Sequence, residues 1–209
     1  MKRRAVFLDR DGVINEEVEY LSSPDRLRLI PGAAQAIQLL NQMSIPTIVV
    51  TNQSGVARGY YPEAQVHVIH RALSDLLAAD GAVVDRYYYC PHHPTEGTGA
   101  YRVECNCRKP KPGMLLQASE EFNLDLTGCY VVGDNALDIE AGQRVGAQSI
   151  LVLTGYGEAL WRSWSASFMP DHVASDLGDA VKWIVTSLQM DWITASAHRQ
   201  AKKGDDAHD

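Results

Sequence analysis

Short apolar runs that end abruptly in polar or acidic residues, separated by stretches of helical periodicity, set the fold class of this chain. Residues 5–8, 47–50, 83–89, 130–132 and 149–153 read as strands, the β-branched run 47–50 being bounded by Pro46 and Asn52. Between them, Ala33, Ala36, Ile37 and Leu40 fall on one face of a helix over 33–43, and Pro62 suits the first turn of a helix reaching Ala79. Residues 114–122 and 136–145 are helical in pattern. Asp176 stands as the cap of a last helix, with Leu177, Ala180, Val181, Ile184 and Leu188 along one stripe. Strands alternating with helices predict an α/β fold on a mainly parallel sheet covered on both faces. Functional groups in such sheets collect at the carboxyl ends of the strands.

The 209 residues amount to one domain, taken as 1–190, and the polar, charged stretch 191–209 reads as a flexible C-terminal tail. With 45% hydrophobic and 22% charged residues, disorder is excluded for most of the chain. No apolar run approaches the ~20 residues of a membrane span. Asp9, Arg10 and Asp11 interrupt the apolar stretch after Lys2-Arg3-Arg4 too early for a secretion signal. A cytoplasmic monomer with no membrane partner is expected. The net charge of -7 argues against a nucleic-acid partner while leaving room for a small anionic substrate.

Four strand ends carry unusual residues. Asp9-Arg10-Asp11-Gly12 follows the first run; extended backbone there projects Asp9 and Asp11 to the same side, where their repulsion calls for a proton or a cation such as Mg²⁺. An acidic turn opened by Gly12 is the plainer reading. Thr51-Asn52-Gln53-Ser54-Gly55 offers short donors to anionic oxygens, or is an ordinary loop or helix cap. Arg108-Lys109-Pro110-Lys111-Pro112-Gly113 is the one dense basic patch before the tail, either a phosphate-binding element or a solvated loop. Gly133-Asp134 follows the fourth run, where Asp134 completes a magnesium site or caps a helix. Asp138, four residues on, reads as a solvated position in the first helical turn.

A second metal is expected from Cys90, His92, Cys105 and Cys107, whose three sulfurs and one imidazole make a closed tetrahedral set for structural Zn²⁺. Spacing alone admits His93 as readily as His92, and His92 is taken. Such a zinc would staple the loop at about 90–107 and position the adjoining Arg108 and Lys109. Cys129 opens a strand and reads as a buried free thiol. His67 and His70 read as part of a solvated helical face, and Trp161, Trp164 and Phe168 as the edge of the core.

Together the four strand ends resemble the haloacid dehalogenase-like phosphohydrolase superfamily, whose motifs match Asp9-x-Asp11-Gly12, Thr51-Asn52, Lys109 and Gly133-Asp134 across about residues 5–153. The resemblance implies a Rossmann-like three-layer sandwich, Mg²⁺, and ester hydrolysis through an aspartyl-phosphate. It gives Asp9 the attack on phosphorus and Asp11 the proton transfers. Thr51 and Lys109 stabilise the phosphoryl group, and Asp9, the Asp11 carbonyl and Asp134 hold the metal. Within the superfamily, stretches 7–12, 51–59, 89–94 and 105–110 resemble the heptose bisphosphate phosphatases, with no large cap domain. That likeness implies a small phosphosugar substrate touched by Glu17, Val18, Glu19, Tyr20, Thr51, Asn52, Gln53, Ser54, Arg108 and Lys109, with Arg108 on the phosphate that stays. Asn135 stands where that family carries lysine. Histidinol-phosphate phosphatases share the motifs, and Glu16, Glu17 and Glu19 could face their cationic substrate. A non-catalytic, zinc-stabilised phosphosugar-binding module is the remaining reading.

Overall fold

The structure, a computed structural model, describes residues 3–190; the tail expected over 191–209 lies outside the described residues. Its strands are β1 (Val6–Leu8), β2 (Thr47–Asn52), β3 (Arg86–Cys90), β4 (Tyr130–Gly133), β5 (Gln148–Val152) and β6 (His172–Ala174). Its helices are α1 (Ala33–Gln42), α2 (Glu63–Ala79), α3 (Gly113–Phe122), α4 (Ala136–Gln143), α5 (Gly157–Arg162) and α6, helical over 177–190. The six strands form one sheet in the order β3-β2-β1-β4-β5-β6, every pair parallel.

Strand alternation divides the core into two layers. Val6, Leu8, Val49, Val132 and Ile150 face one side, where Ile37 and Leu40 of α1, Ile69 and Leu73 of α2, and Leu177 and Val181 of α6 cover them. Phe7, Ile48, Val50 and Val131 face the other, packed on Met114, Leu115 and Ala118 of α3 and Ala141 of α4. Burial on both faces explains why β1 reads as an unbroken apolar run instead of an alternating one. The chain leaves β1 toward β2 but leaves β4 toward β5, so the connections part between two neighbouring strands. A crevice opens there at their carboxyl ends. Among the described residues, the loops facing it carry only short 3-10 turns, at Pro24–Arg26 and Gly99–Tyr101, and no added sheet.

Most expected elements are present, and the departures have local causes. Val83 belongs to no strand: its N–H donates to Asn41 Oδ1 at 2.8 Å, its carbonyl accepts from Asn41 Nδ2, and pairing starts only at Arg86. The three-residue β6 has too little pattern to read from sequence. Asp176 caps α6 as expected, accepting the Asp179 N–H at 2.9 Å. Trp164 donates Nε1–H to the Phe168 carbonyl at 2.8 Å and meets the Phe168 ring edge-on, closing a half-buried turn at the sheet's rim.

The expectation of a solvated face at His67 and His70 holds only for His67. His70 is buried and stacked on Tyr87 with ring centroids 4.6 Å apart. Burial, reinforced by Arg10, pushes its imidazole down to about 3, so it is neutral at physiological pH.

Phe7 is fully buried in the central strand, and Val83 is 58% exposed. Phe7→Ala should lower unfolding free energy by about 3–5 kcal/mol in urea titrations, against less than about 0.5 kcal/mol for Val83→Ala.

Candidate active site

The crevice gathers the four expected strand ends around a pocket of about 170 Å³. Asp9, Asp11, Thr51, Lys109, Asp134 and Asp138 are among the residues lining it. Asp9 and Asp11 come from the turn after β1, Thr51 from the end of β2, Lys109 from the loop before α3, and Asp134 from the turn after β4. The Asp9 N–H still accompanies the sheet, donating to Val132 O at 2.9 Å, which fixes the height of its side chain beside β4.

Lys109 is buried at the centre of this arrangement. Its Nζ contacts Asp9 Oδ1 at 3.0 Å and Asp138 Oδ1 at 2.5 Å, and donates to Val50 O at 2.7 Å. Burial alone would lower the lysine's pKa, but Asp138 and Asp9 more than offset it, and the net shift is upward, keeping the ammonium charged. Asn52 clasps the same residue through its backbone, donating to Lys109 O and accepting from Lys109 N, both at 3.1 Å. Asp9 Oδ1 also accepts the Arg10 N–H at 2.8 Å. Among the described residues no donor reaches Asp9 Oδ2, which leaves that oxygen available as a nucleophile.

Asp138 is a correction to the sequence reading. It is buried, because the first turn of α4 faces the crevice and not solvent. Asn135 caps α4, accepting the Leu137 N–H at 3.2 Å, while Asp138 Oδ2 accepts the Asn135 N–H at 3.2 Å. The pair is a reciprocal capping box, so Asn135, and not Asp134, caps the helix. The signal was the Asn135-x-x-Asp138 spacing. Asp9, Asp134 and Asp138 place carboxylate oxygens within 4.8 Å of one another, a set able to hold a cation. Burial, with Asp9 and Asp138 nearby, pushes Asp134 up to about 8. Burial likewise raises Asp138, to about 6, although Lys109 pulls it down.

Two glycines bring Asp134 this close to the first turn. Gly12 and Gly155 have φ values of +77° and +56°, and a Cβ on either would run into Asp134 Oδ2. The next residue, Tyr156, donates its N–H to that oxygen at 2.9 Å. Neither Gly155 nor Tyr156 was singled out by the sequence, since nothing local marks the turn after β5 as part of the site.

Asp11 is held differently. Arg10, Asn15 and Gln53 all donate to its carboxylate, at 2.7 to 3.1 Å. Burial alone would raise its pKa, but these partners, Arg10 foremost, outweigh it and hold the carboxyl below its ordinary value. Gln53 Nε2 also donates to Thr51 Oγ1 at 2.9 Å, so the Thr51 proton is free for another acceptor.

A larger cavity, about 450 Å³, adjoins the small pocket and is lined in part by Glu17, Glu19, Tyr20, Asn52, Ser54 and Tyr156. Glu19 and Tyr20 adopt φ values of +44° and +51°, which turn the loop back over this cavity. Tyr20 meets the Tyr60 ring edge-on at 4.6 Å, with Arg58 5.8 Å from the Tyr20 ring centre. One expected contact departs from this lining: Val18 packs against the core, its carbonyl accepting from Arg26 at 2.9 Å. Gln53 lines the cavity as expected, but it is buried and its carboxamide is bonded to protein groups. Arg108 reaches the small pocket, its Nη1 donating to His92 O at 3.2 Å.

The Cys and His residues converge as expected. Cys90, Cys105 and Cys107 sulfurs lie 3.2–3.5 Å apart, and His92 Nδ1 is 3.4 Å from Cys107 Sγ and 3.7 Å from Cys90 Sγ. His93 is turned away, its Nδ1 accepting from the Thr95 and Glu96 N–H groups. Cys129 is a buried free thiol.

Known proteins share this architecture. Residues 6–67 match the family described as haloacid dehalogenase-like hydrolase, and residues 106–180 the family described as HAD-hydrolase-like. A D-glycero-D-manno-heptose-1,7-bisphosphate 7-phosphatase of Thermosynechococcus vestitus is 46% identical over 193 residues, covering 90% of this chain and 98% of its own. A D-glycero-beta-D-manno-heptose-1,7-bisphosphate 7-phosphatase of Rhodopseudomonas palustris is 47% identical, covering 69% and 81%. The crystal structure of D,D-heptose 1,7-bisphosphate phosphatase from B. bronchiseptica, complexed with magnesium and phosphate, superposes with a TM-score of 0.79 at 34% identity, covering 88% and 99%. The chain belongs to the haloacid dehalogenase-like hydrolases and, within them, to the family of D-glycero-D-manno-heptose-1,7-bisphosphate 7-phosphatases.

Proposed function

We propose that this chain is a Mg²⁺-dependent phosphatase that removes the 7-phosphate of D-glycero-D-manno-heptose 1,7-bisphosphate through an aspartyl-phosphate, acting as a cytoplasmic monomer in the synthesis of activated heptose for surface glycans. The observation that carries the reading is Asp9 itself. One oxygen is fixed by Lys109 and the Arg10 N–H, and the other meets no donor among the described residues. Asp9 Oδ2 attacks phosphorus and the bond from phosphorus to the sugar oxygen breaks; Asp11, a carboxylate in the free site, first takes up a proton from solvent as the anionic substrate enters and passes it to the leaving oxygen. Asp11 then takes a proton from the water that hydrolyses the acyl phosphate. The Thr51 hydroxyl donates to a phosphoryl oxygen, and Lys109 lowers the electrostatic cost of bringing one anion to another.

The residues fit a divalent cation. The carboxylates of Asp9, Asp11, Asp134 and Asp138 face the cations Arg10 and Lys109, leaving the cluster two negative charges in excess when all are ionised. Mg²⁺ would be held by Asp9, the Asp11 carbonyl and Asp134, with Asp138 behind them, and would draw charge from the phosphoryl oxygens. The larger cavity takes the sugar against Glu17, Glu19, Tyr20, Asn52 and Ser54, and Arg108 takes the second phosphate. That phosphate supplies binding energy that orients the reacting one. Cys90, His92, Cys105 and Cys107 would hold structural Zn²⁺, consistent with their closed donor set. Among the described residues no helix is long and apolar enough to cross a membrane.

Phosphate release with Mg²⁺ should favour the heptose bisphosphate over histidinol phosphate by at least about 100-fold in kcat/KM, a pocket-contact difference of roughly 3 kcal/mol; the reverse preference overturns the substrate assignment. Asp9→Asn should lose activity by about 10⁴-fold or more while melting within a few degrees of the parent. Asp134 has a folded pKa of about 8 against an ordinary 3.8, so between those values the folded chain keeps a proton that the unfolded chain has lost. Metal-free stability should therefore fall as pH rises through that window. Mg²⁺ would substitute for the proton, so the rise in Tm that it produces should grow from pH 6 to pH 8; a pH-independent rise would count against Asp134 as a ligand. Cys105→Ser combined with Cys107→Ser should remove one zinc per chain by atomic emission and lower kcat by about 10- to 100-fold.

A further inference from the structure

The Gln53 side chain makes four hydrogen bonds at the site. Its Nε2 donates to Asp11 Oδ2 at 3.0 Å and to Thr51 Oγ1 at 2.9 Å. Its Oε1 accepts from Arg10 Nη2 at 3.2 Å and from Tyr61 Oη at 3.1 Å. The residue is 3% exposed. A carboxamide has two N–H donors and one carbonyl with two lone pairs, so every hydrogen-bonding position of Gln53 is occupied by protein. Nothing remains for a substrate hydroxyl or phosphate.

The direction of these bonds is fixed as well. A guanidinium only donates, so the carbonyl end of Gln53 must face Arg10 and the amide end must face Asp11 and Thr51. Arg10 is itself fully buried and grips both Asp11 oxygens, Nη2 reaching Oδ1 at 2.9 Å and Oδ2 at 2.7 Å. Asn15 Nδ2 holds Asp11 Oδ1 at 2.9 Å from the other side. Gln53 spans the two strand ends, linking Asp11 in the turn after β1 to Thr51 at the end of β2.

We propose that Gln53 is a positioning residue for the reaction: a strut, oriented by Arg10 and Tyr61, that fixes the Asp11 carboxyl relative to Thr51 so that proton delivery coincides with phosphoryl transfer. The inference rests on the reading of Asp11 as the proton-transfer group. It replaces a direct substrate contact at Gln53 with action through Asp11.

The test is a double-mutant cycle on heptose 1,7-bisphosphate hydrolysis with Mg²⁺. Gln53→Met keeps the length and removes the amide. It should lower kcat by about 10- to 100-fold, a part of what a positioned acid–base group contributes, with KM within threefold. In an Asp11→Asn background the same change should cost less than threefold, because the group it positions is already gone. A strut acting through substrate or through the fold would instead give its full loss in both backgrounds, or a rise in KM with kcat unchanged, and either result overturns the proposal. Tyr61→Phe, which removes one tether of the Gln53 carbonyl and leaves Asp11 and Thr51 untouched, provides a milder version should Gln53→Met fold poorly. It should lower kcat two- to fivefold at constant KM, and an unchanged kcat overturns the strut. Asp11→Asn turning over at the parent rate overturns both this proposal and the reading beneath it. An inactive Asp11→Asn with Gln53→Met at full rate overturns the strut alone.

Discussion

The buried ammonium of Lys109 is the interaction on which the site depends. An isolated charge there would cost several kcal/mol, yet its three donors meet three acceptors: Asp9 on the β1 turn, Asp138 in α4 and the Val50 carbonyl in β2. One side chain thereby ties three separate pieces of the sheet's carboxyl edge to the loop before α3. The same saturation bears on mechanism. While Asp9 is a carboxylate, Lys109 has no spare N–H for a phosphoryl oxygen and acts on it by charge. In the proposed reaction, the charge of Asp9 disappears as it turns into an acyl phosphate, and the ammonium would be released to follow the negative charge onto the phosphoryl group. The proposed nucleophile and the cation proposed to serve the phosphoryl group are in this sense one unit.

Around that unit the chain concentrates more negative charge than its own cations balance, and it does so by backbone means. Gly12 and Gly155 clear the space that lets Asp134 approach the β1 turn, and the Tyr156 N–H holds the carboxylate in place. The resulting desolvation is unfavourable for the ionised form, which is why Asp134 retains a proton until about pH 8 when no cation is present. A site that is costly to ionise alone and cheap to ionise around a divalent cation is a metal site in waiting, and its affinity for that cation is tied to pH.

The sequence made the sheet, its helices and the four strand ends legible because each rests on local signals: apolar runs, helical stripes, and acids immediately after strands. The resemblance then supplied roles for Asp9, Asp11, Thr51, Lys109 and Asp134, and the structure brings those five side chains to one pocket. What stayed hidden depends on facing. Asp138 occupies the first turn of a helix, ordinarily a wet position, but that turn is aimed into the crevice. His70 shares a helix with exposed His67, yet its ring lies against Tyr87. Gln53 has the composition of a substrate contact and the bonding of a structural strut, and only a complete account of its donors and acceptors separates the two. Gly155 and Tyr156 escaped notice because the turn after β5 becomes part of the site solely through contact with residues about 140 and 20 positions away.

The Cys/His cluster is linked to the pocket by two routes. Along the chain, Cys107 is followed directly by Arg108 and Lys109, and Arg108 is braced on the His92 carbonyl. Across the sheet, the Cys90 carbonyl accepts the Gln53 N–H at 2.7 Å, so the residue that grips Asp11 is hung from the residue that opens the cluster. Asn52 closes the circuit: it pairs with Cys90 in the β2–β3 ladder and clasps the Lys109 backbone with its side chain. A loop with few apolar residues cannot hold such tolerances by burial. Four ligands gathered on the proposed zinc would, and they would fix both the cation proposed to face the phosphate and, through Gln53, the acid proposed to transfer the proton.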